Sequence, residues 1–392
     1  MDLFSKYKND LLDSVRKEGL YPYFHELQSR QAPEVIMEGH RTIMLGSNNY
    51  LGLTENKNVI KAGIKALKKY GTGCSGSRFL NGTLDMHKTL EKELAEFLGK
   101  EDAVTFSTGF QSNLGIISAL VGFGDYILND KENHASIYDA CKLSNAKTLR
   151  YQHSDMEDLE KQLKEIPDDA GILIVTDGVF SMRGDIAKLP EICALAKKYG
   201  ARVMVDDAHG MGVLGNGGRG TADYFGLTDQ VDVIMNTFSK SLASIGGCMA
   251  ASKEVCDYVR HCSRPFIFSA SLTPASTACA LAALRELKKN PSMSTRLLEL
   301  GNYCRNAFKS RNIPIVESNT PIVPIFTYDT KKTFVVAKKL FEAGVYVNPV
   351  VPPAAPSGEC LLRVTLTARH NEKLIDEAAD IIAKVLEEVN YQ

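Results

Sequence analysis

The chain has no run of about 18 apolar residues, so nothing in it is built to span a bilayer. Its opening, Met1-Asp2-Leu3-Phe4-Ser5-Lys6, has neither an apolar signal core nor a cleavage site, and predicts a protein that stays in the cytoplasm. Neither charge is in surplus: 46 Lys and Arg face 47 Asp and Glu, a net of −1. That balance excludes a general binder of nucleic acid or of anionic membranes, which needs excess cations, but leaves room for a local basic pocket. No Cys-x-x-Cys pair occurs among the nine cysteines, at 74, 141, 193, 248, 256, 262, 279, 304 and 360. An odd, scattered set provides neither a disulfide framework nor a metal knuckle, and predicts reduced thiols used as small core residues, with no metal site. Repeats, low-complexity stretches and charge blocks are missing as well.

What is there suffices for a large interior. The 392 residues are 44% hydrophobic, too apolar for a disordered chain and long enough for two domains. Short apolar runs at 103–106, 126–129, 148–151, 172–176, 202–205, 231–236 and 247–251 alternate with helix-like stretches such as 189–199. Strands apolar on both faces and separated by helices predict an α/β fold, a mostly parallel sheet covered on each side. Helices are expected at 56–70 and 86–98 before it, and at 275–289, 294–309, 331–342 and 371–388 after it. With strands at 322–327 and 362–367, the later set reads as a smaller α+β domain. The expected division is an N-terminal arm over 1–45, a large domain over 46–285 and a small one over 286–392. Leu3, Phe4, Tyr7, Leu11, Leu12 and Val15 form a helical stripe ended by Gly19 and Pro22, for packing on this chain or a partner subunit. Peripheral membrane contact is the other use of such a stripe. The proline-rich piece 348–356 reads as a loop.

Two segments match Gly-x-Gly-x-x-Gly, at 71–76 and 210–215. Neither lies between a strand and a helix, so neither supports dinucleotide binding. The informative pair is elsewhere. The apolar strand 202–205 delivers Asp206, and the next delivers Thr237-Phe238-Ser239-Lys240-Ser241 before Ile245-Gly246-Gly247. A lysine among small hydroxyl and apolar residues is partly desolvated, which lowers its pKa toward that of a usable amine nucleophile or base. Pyridoxal phosphate needs such an amine, an acid to keep its ring nitrogen protonated, and donors for its phosphate. Lys240, Asp206 and the segment Ser107-Thr108-Gly109-Phe110-Gln111 at a helix start meet these needs, with Thr237 and Ser239 completing the cradle. His134, just after a strand, is placed to cover the ring.

Together with Gly46-Ser47-Asn48-Asn49-Tyr50-Leu51-Gly52-Leu53, Gly73-Cys74-Ser75-Gly76-Ser77-Arg78, Asn133-His134-Ala135-Ser136, Asp177-Gly178-Val179-Phe180-Ser181-Met182-Arg183-Gly184-Asp185 and Asp206-Asp207-Ala208-His209-Gly210, these residues carry a resemblance over nearly the whole chain. The chain resembles the α-oxoamine synthases, fold type I pyridoxal-phosphate enzymes that join an amino acid to an acyl-CoA and expel carbon dioxide. The resemblance implies a large domain with a mostly parallel sheet, a smaller C-terminal domain, and a homodimer with active sites at the interface. It implies Lys240 as the Schiff-base lysine, Asp206 on the ring nitrogen, and His209 and Ser181 at the ring hydroxyl. His134 would stack on the ring, Gly109, Phe110, Thr237 and Ser239 would hold the phosphate, and Asn49 and Arg363 would grip the substrate carboxylate. Within the family the motifs look most like bacterial serine palmitoyltransferases, acting on L-serine and palmitoyl-CoA, and also resemble glycine acetyltransferases and 8-amino-7-oxononanoate synthases. Arg183 and Arg369 depart from the family pattern, which bears on CoA or acyl recognition. An aminotransferase without CoA, or a non-catalytic scaffold subunit, are the alternatives; a scaffold would not need Lys240.

Overall fold

The computed structural model of the chain describes residues 2–7, 9–356 and 358–390. Seven strands form the central sheet: β1 (Asp102–Phe106), β2 (Tyr126–Asp130), β3 (Lys147–Tyr151), β4 (Ile172–Asp177), β5 (Arg202–Asp206), β6 (Val233–Thr237) and β7 (Gly247–Ala251). All seven expected strands are present, with ends moved by at most two residues. Their spatial order is β1-β7-β6-β5-β4-β2-β3. The pairs from β6 to β3 are parallel, while β7 runs antiparallel to both β1 and β6. β6 and β7 are buried along their whole length, because helices cover both faces of the sheet. On one face Ile116, Ile137 and Val259 pack against Phe106, Met204 and Met249. On the other, Leu90, Leu94, Ile192 and Leu284 pack with Ile174, Val203 and Val205.

Parallel pairing sets the geometry of the site. Asp177 and Asp206 are register partners, so the C-terminal residues of β4 and β5 stand side by side. Thr237 ends β6 beside them and Asp130 ends β2 on the far side. Ligands in open α/β sheets bind off this edge, where the strands hand over to loops and helix N-termini.

After Pro274–Lys289 and Ser292–Lys309, a three-stranded antiparallel sheet places Cys360–Arg363 between Ile325–Tyr328 and Asn348–Val350, with the helices Thr330–Glu342 and Glu372–Asn390 beside it. Residues 348–350 therefore belong to a strand, although the proline content predicts a loop. Pro349 lies on an edge strand, where a missing N–H costs least. The strands expected at 322–327 and 362–367 are displaced to Ile325–Tyr328 and Cys360–Arg363. A hairpin not anticipated from the sequence joins Glu34–Met37 to His40–Met44. Its turn residues Glu38 and Gly39 both have positive φ, 46° and 82°, as a tight hairpin requires. Val345–Tyr346 adds to it in parallel.

The first 20 residues do not form one helix. Leu3–Lys6 is a 3-10 turn and Asp10–Lys17 a separate helix. Only the end of the stripe meets a surface: Val15 is buried with Phe334, Val351 and Cys360, while Leu3, Phe4, Tyr7 and Leu11 stay exposed. Gly19, at φ 66°, closes that helix as expected. No helix among the described residues is long and apolar enough to cross a membrane.

Candidate active site

A cavity of about 310 Å³ opens at the C-terminal edge of the sheet. Its walls bring together Gly109, Phe110, His134, Asp206, His209, Thr237, Ser239 and Lys240, eight of the residues singled out from the sequence.

One end is a helix N-terminus. Thr108 caps Gly109–Leu120 by accepting from the Gln111 N–H at 3.1 Å. The first N–H groups of such a helix have no partner within it and carry its positive dipole end. Gly109 is required by close approach: a Cβ there would stand 2.6 Å from Thr237 Oγ1. Thr237 and Ser239 share a hydroxyl hydrogen bond of 2.9 Å beside it. The N–H groups and hydroxyls together form a cluster of hydrogen-bond donors of the kind that suits an anion such as phosphate.

The middle of the cavity is held by a buried polar chain. Asn113 Nδ2 donates to Asp206 Oδ2 at 2.7 Å and to Ser136 Oγ at 2.8 Å. Ser136 Oγ lies 2.7 Å from His134 Nδ1, which fixes the imidazole at the start of Ala135–Leu143. The Phe110 ring meets that of His134 edge to face, centroids 6.4 Å apart. Asp206 Oδ1 accepts from the Ala208 N–H at 3.1 Å. Asn113 Oδ1 is buried without a partner, an acceptor that the fold leaves unsatisfied at the cavity wall.

Electrostatics separates the roles. Burial, together with the Asp206 carboxylate alongside, pushes the Asp177 pKa well up. Burial lowers the pKa of His134, and more strongly that of His209, leaving both rings neutral. Lys240 sits half-buried in the turn after β6, and desolvation, partly offset by Asp206 and reinforced by Arg363, lowers its pKa from 10.5 to about 8. Below pH 8 the amine is protonated and has no lone pair; above it the amine is free. Covalent attachment of pyridoxal phosphate to cofactor-free protein is therefore expected to accelerate about tenfold per unit as pH rises toward 8, then level off. Stopped-flow absorbance across the range tests this, and a flat profile, or one rising only near 10.5, contradicts it.

The remaining sequence candidates are not among the residues lining the cavity. Arg363 is buried; its Nη1 donates to Asn48 Oδ1 at 2.9 Å and its Nε to the Ser181 carbonyl. Asn49 is buried as well; its amide donates to Thr54 Oγ1 at 2.8 Å and its Oδ1 is buried without a partner, while the neighbouring Asn48 is the asparagine bonded to Arg363. Ser181 meets Arg363 through its backbone carbonyl and is not among the residues lining the cavity. Sequence reasoning gives no role to Asp177, Asn113, Ser136 or Asn48. Asp177 alone carried a usable signal, a carboxylate at a strand end like Asp206. The two departures are both partnered by acids: Arg183 with Glu359, and Arg369 with Glu55 at 3.1 Å.

A mostly parallel seven-stranded sheet with a lysine, an aspartate and a phosphate cradle at one edge defines a fold type I pyridoxal-phosphate enzyme. The aminotransferase class I and II family model matches residues 41–382. The chain is 52% identical over 377 residues to a serine palmitoyltransferase of Bacteroides thetaiotaomicron, covering 96% of each. It is 41% identical to an 8-amino-7-oxononanoate synthase of Thermoanaerobacter pseudethanolicus, over 97% of this chain and 96% of that one. A solved serine palmitoyltransferase from S. paucimobilis, with bound PLP–myriocin aldimine, superposes with a TM-score of 0.96 at 37% identity, covering 100% of both chains. The chain belongs to the α-oxoamine synthase family, and is a pyridoxal-phosphate-dependent acyltransferase similar to the bacterial serine palmitoyltransferases.

Proposed function

We propose that this enzyme condenses L-serine with a long-chain acyl-CoA, palmitoyl-CoA first, and releases a 3-ketosphinganine-type aminoketone, CoA and carbon dioxide. The observation that carries the reading is Lys240 and Asp206 on one cavity with a phosphate cradle, in a chain 52% identical to a serine palmitoyltransferase.

Bound pyridoxal phosphate supplies an aldehyde for amine nitrogen and a cationic ring that accepts electrons from the substrate's α-carbon. The residues present fit that group: the Gly109 cradle is kept open by its missing side chain, and the cavity wall carries the required acid and amine. In this reading Gly109, Phe110, Thr237 and Ser239 bind the phosphate, and His134 covers the ring face. Asp206, steadied by Asn113, keeps the ring nitrogen protonated. His209 and Ser181 serve the ring hydroxyl side. Lys240 anchors the aldehyde, then as a free amine removes the α-proton and later returns one. Arg363 and Asn49 hold the substrate carboxylate until it leaves as carbon dioxide, with Asn48 fixing the guanidinium. Exposed Phe110 and Ile245 at the cavity mouth offer apolar surface to an acyl chain, at roughly 25 cal/mol per Å² covered.

The reading includes a cytoplasmic homodimer with its sites at the interface. Pairing of Ser77 with Ala270 sets two loops side by side that expose Phe79, Leu80 and Phe268, the last two 75% and 78% accessible. Peripheral contact of this dimer with a membrane is compatible with its lipid product. The arm over 1–45, the large domain over 46–285 and the small domain over 286–392 are its proposed units. The second reading, an 8-amino-7-oxononanoate synthase, is favoured by the 41% relative. A matrix of amino acids against acyl-CoA thioesters, read by free CoA, separates these. L-serine with palmitoyl-CoA is expected to exceed L-alanine with pimeloyl-CoA, and glycine with acetyl-CoA, by at least about tenfold in kcat/KM. A higher value for either competitor overturns the assignment.

A further inference from the structure

We propose that Tyr50 is a positioning residue that fixes the tautomer of His209 on the cavity wall and ties it to Arg363 outside the lining, so that the two are held as one hydrogen-bonded unit. Tyr50 is fully buried, and its ring stands edge-on to His209, centroids 5.9 Å apart. Its hydroxyl lies 2.6 Å from His209 Nδ1 and 3.4 Å from Arg363 Nη2.

The donors decide the direction. A guanidinium has protons and no lone pair, so at the Arg363 contact the tyrosine oxygen accepts. The single hydroxyl proton then goes to His209 Nδ1, the acceptor that faces it. His209 is 8% exposed, and burial beside the Lys240 and Arg363 cations keeps its ring neutral, with one nitrogen protonated. With Nδ1 accepting, that proton is on Nε2. The histidine thus offers a donor, not an acceptor, as its remaining polar atom, while its ring lines the cavity. The chain Arg363 to Tyr50 to His209 is directional. Arg363 is otherwise fixed by Asn48 and the Ser181 carbonyl, so an anion that draws on its guanidinium pulls on the tyrosine's donor as well.

The kinetic consequence rests on Arg363 gripping the substrate carboxylate; the tautomer does not. Tyr50→Phe removes one oxygen and keeps the ring that packs on His209. In holoenzyme labelled with [15N]histidine, NMR of wild type is expected to show His209 with Nε2 protonated and Nδ1 bare. In Tyr50→Phe a population with Nδ1 protonated appears, and KM for the amino acid rises about tenfold while kcat changes less than about threefold. A wild-type spectrum with the proton on Nδ1 overturns the proposal, and this arm needs no variant to fold. A Tyr50→Phe enzyme with unchanged tautomer overturns it too, and a changed tautomer with unchanged KM overturns the link to Arg363. If no amino acid and thioester pair turns over, yet the tautomer shifts as expected, the reaction assignment fails and the tyrosine's role stands.

Discussion

Lys240→Ala is expected to lower kcat for CoA release by at least about a thousandfold, the upper part of the range for loss of a positioned acid–base group. In the proposed mechanism the loss is larger than for any other single residue, because the same amine would both anchor the aldehyde and move the α-proton. A methyl group at 240 supplies neither. Nothing in the cavity can replace it: Asp206 is engaged with Asn113 and Ala208, and the His134 and His209 rings are fixed by Ser136 and Tyr50. The variant is expected to fold as well as wild type, since the amine is a desolvated group whose lowered pKa marks an unfavourable place for charge. Cofactor-free protein should therefore melt at the same temperature or higher. Turnover within tenfold of wild type would show that another group does this work.

Asp206→Asn is expected to leave the cofactor attached at Lys240 while kcat falls about 10²- to 10³-fold, the cost of removing one preorganised electrostatic partner. The substitution keeps shape and removes charge. Asp177, the adjacent strand-end acid, is expected not to substitute, because burial pushes its pKa well up and so favours its uncharged form. The check is the visible absorbance of the bound cofactor together with CoA release. An attached cofactor with kcat within threefold of wild type would remove Asp206 from its role.

Much of this architecture was legible in the sequence because parallel strands covered on both faces must be apolar throughout, and runs such as 172–176 and 247–251 show it. The strand-end position of Asp206 and the unusual setting of Lys240 are local features, so they too could be read. What escaped depends on contacts between distant segments. Tyr50 and His209 are 159 positions apart, and Arg363 is 315 from Asn48. Nothing in the run Asn48-Asn49 says which amide faces the arginine; Thr54 and the Gln31 carbonyl decide it by claiming Asn49. The N-terminal stripe is broken in the structure for a related reason. Its periodicity is helical, but within this chain the apolar surface it meets is at the turn of Val15, and a helix that short depends on packing to persist.

The central claim is that the Lys240 amine carries the cofactor. Borohydride reduction of the yellow holoenzyme, followed by peptide mass spectrometry, tests it most directly. The account predicts a reduced pyridoxyl-phosphate adduct on the peptide containing Lys240 and on no other. An unmodified Lys240 peptide, or an adduct on a different lysine, would contradict it.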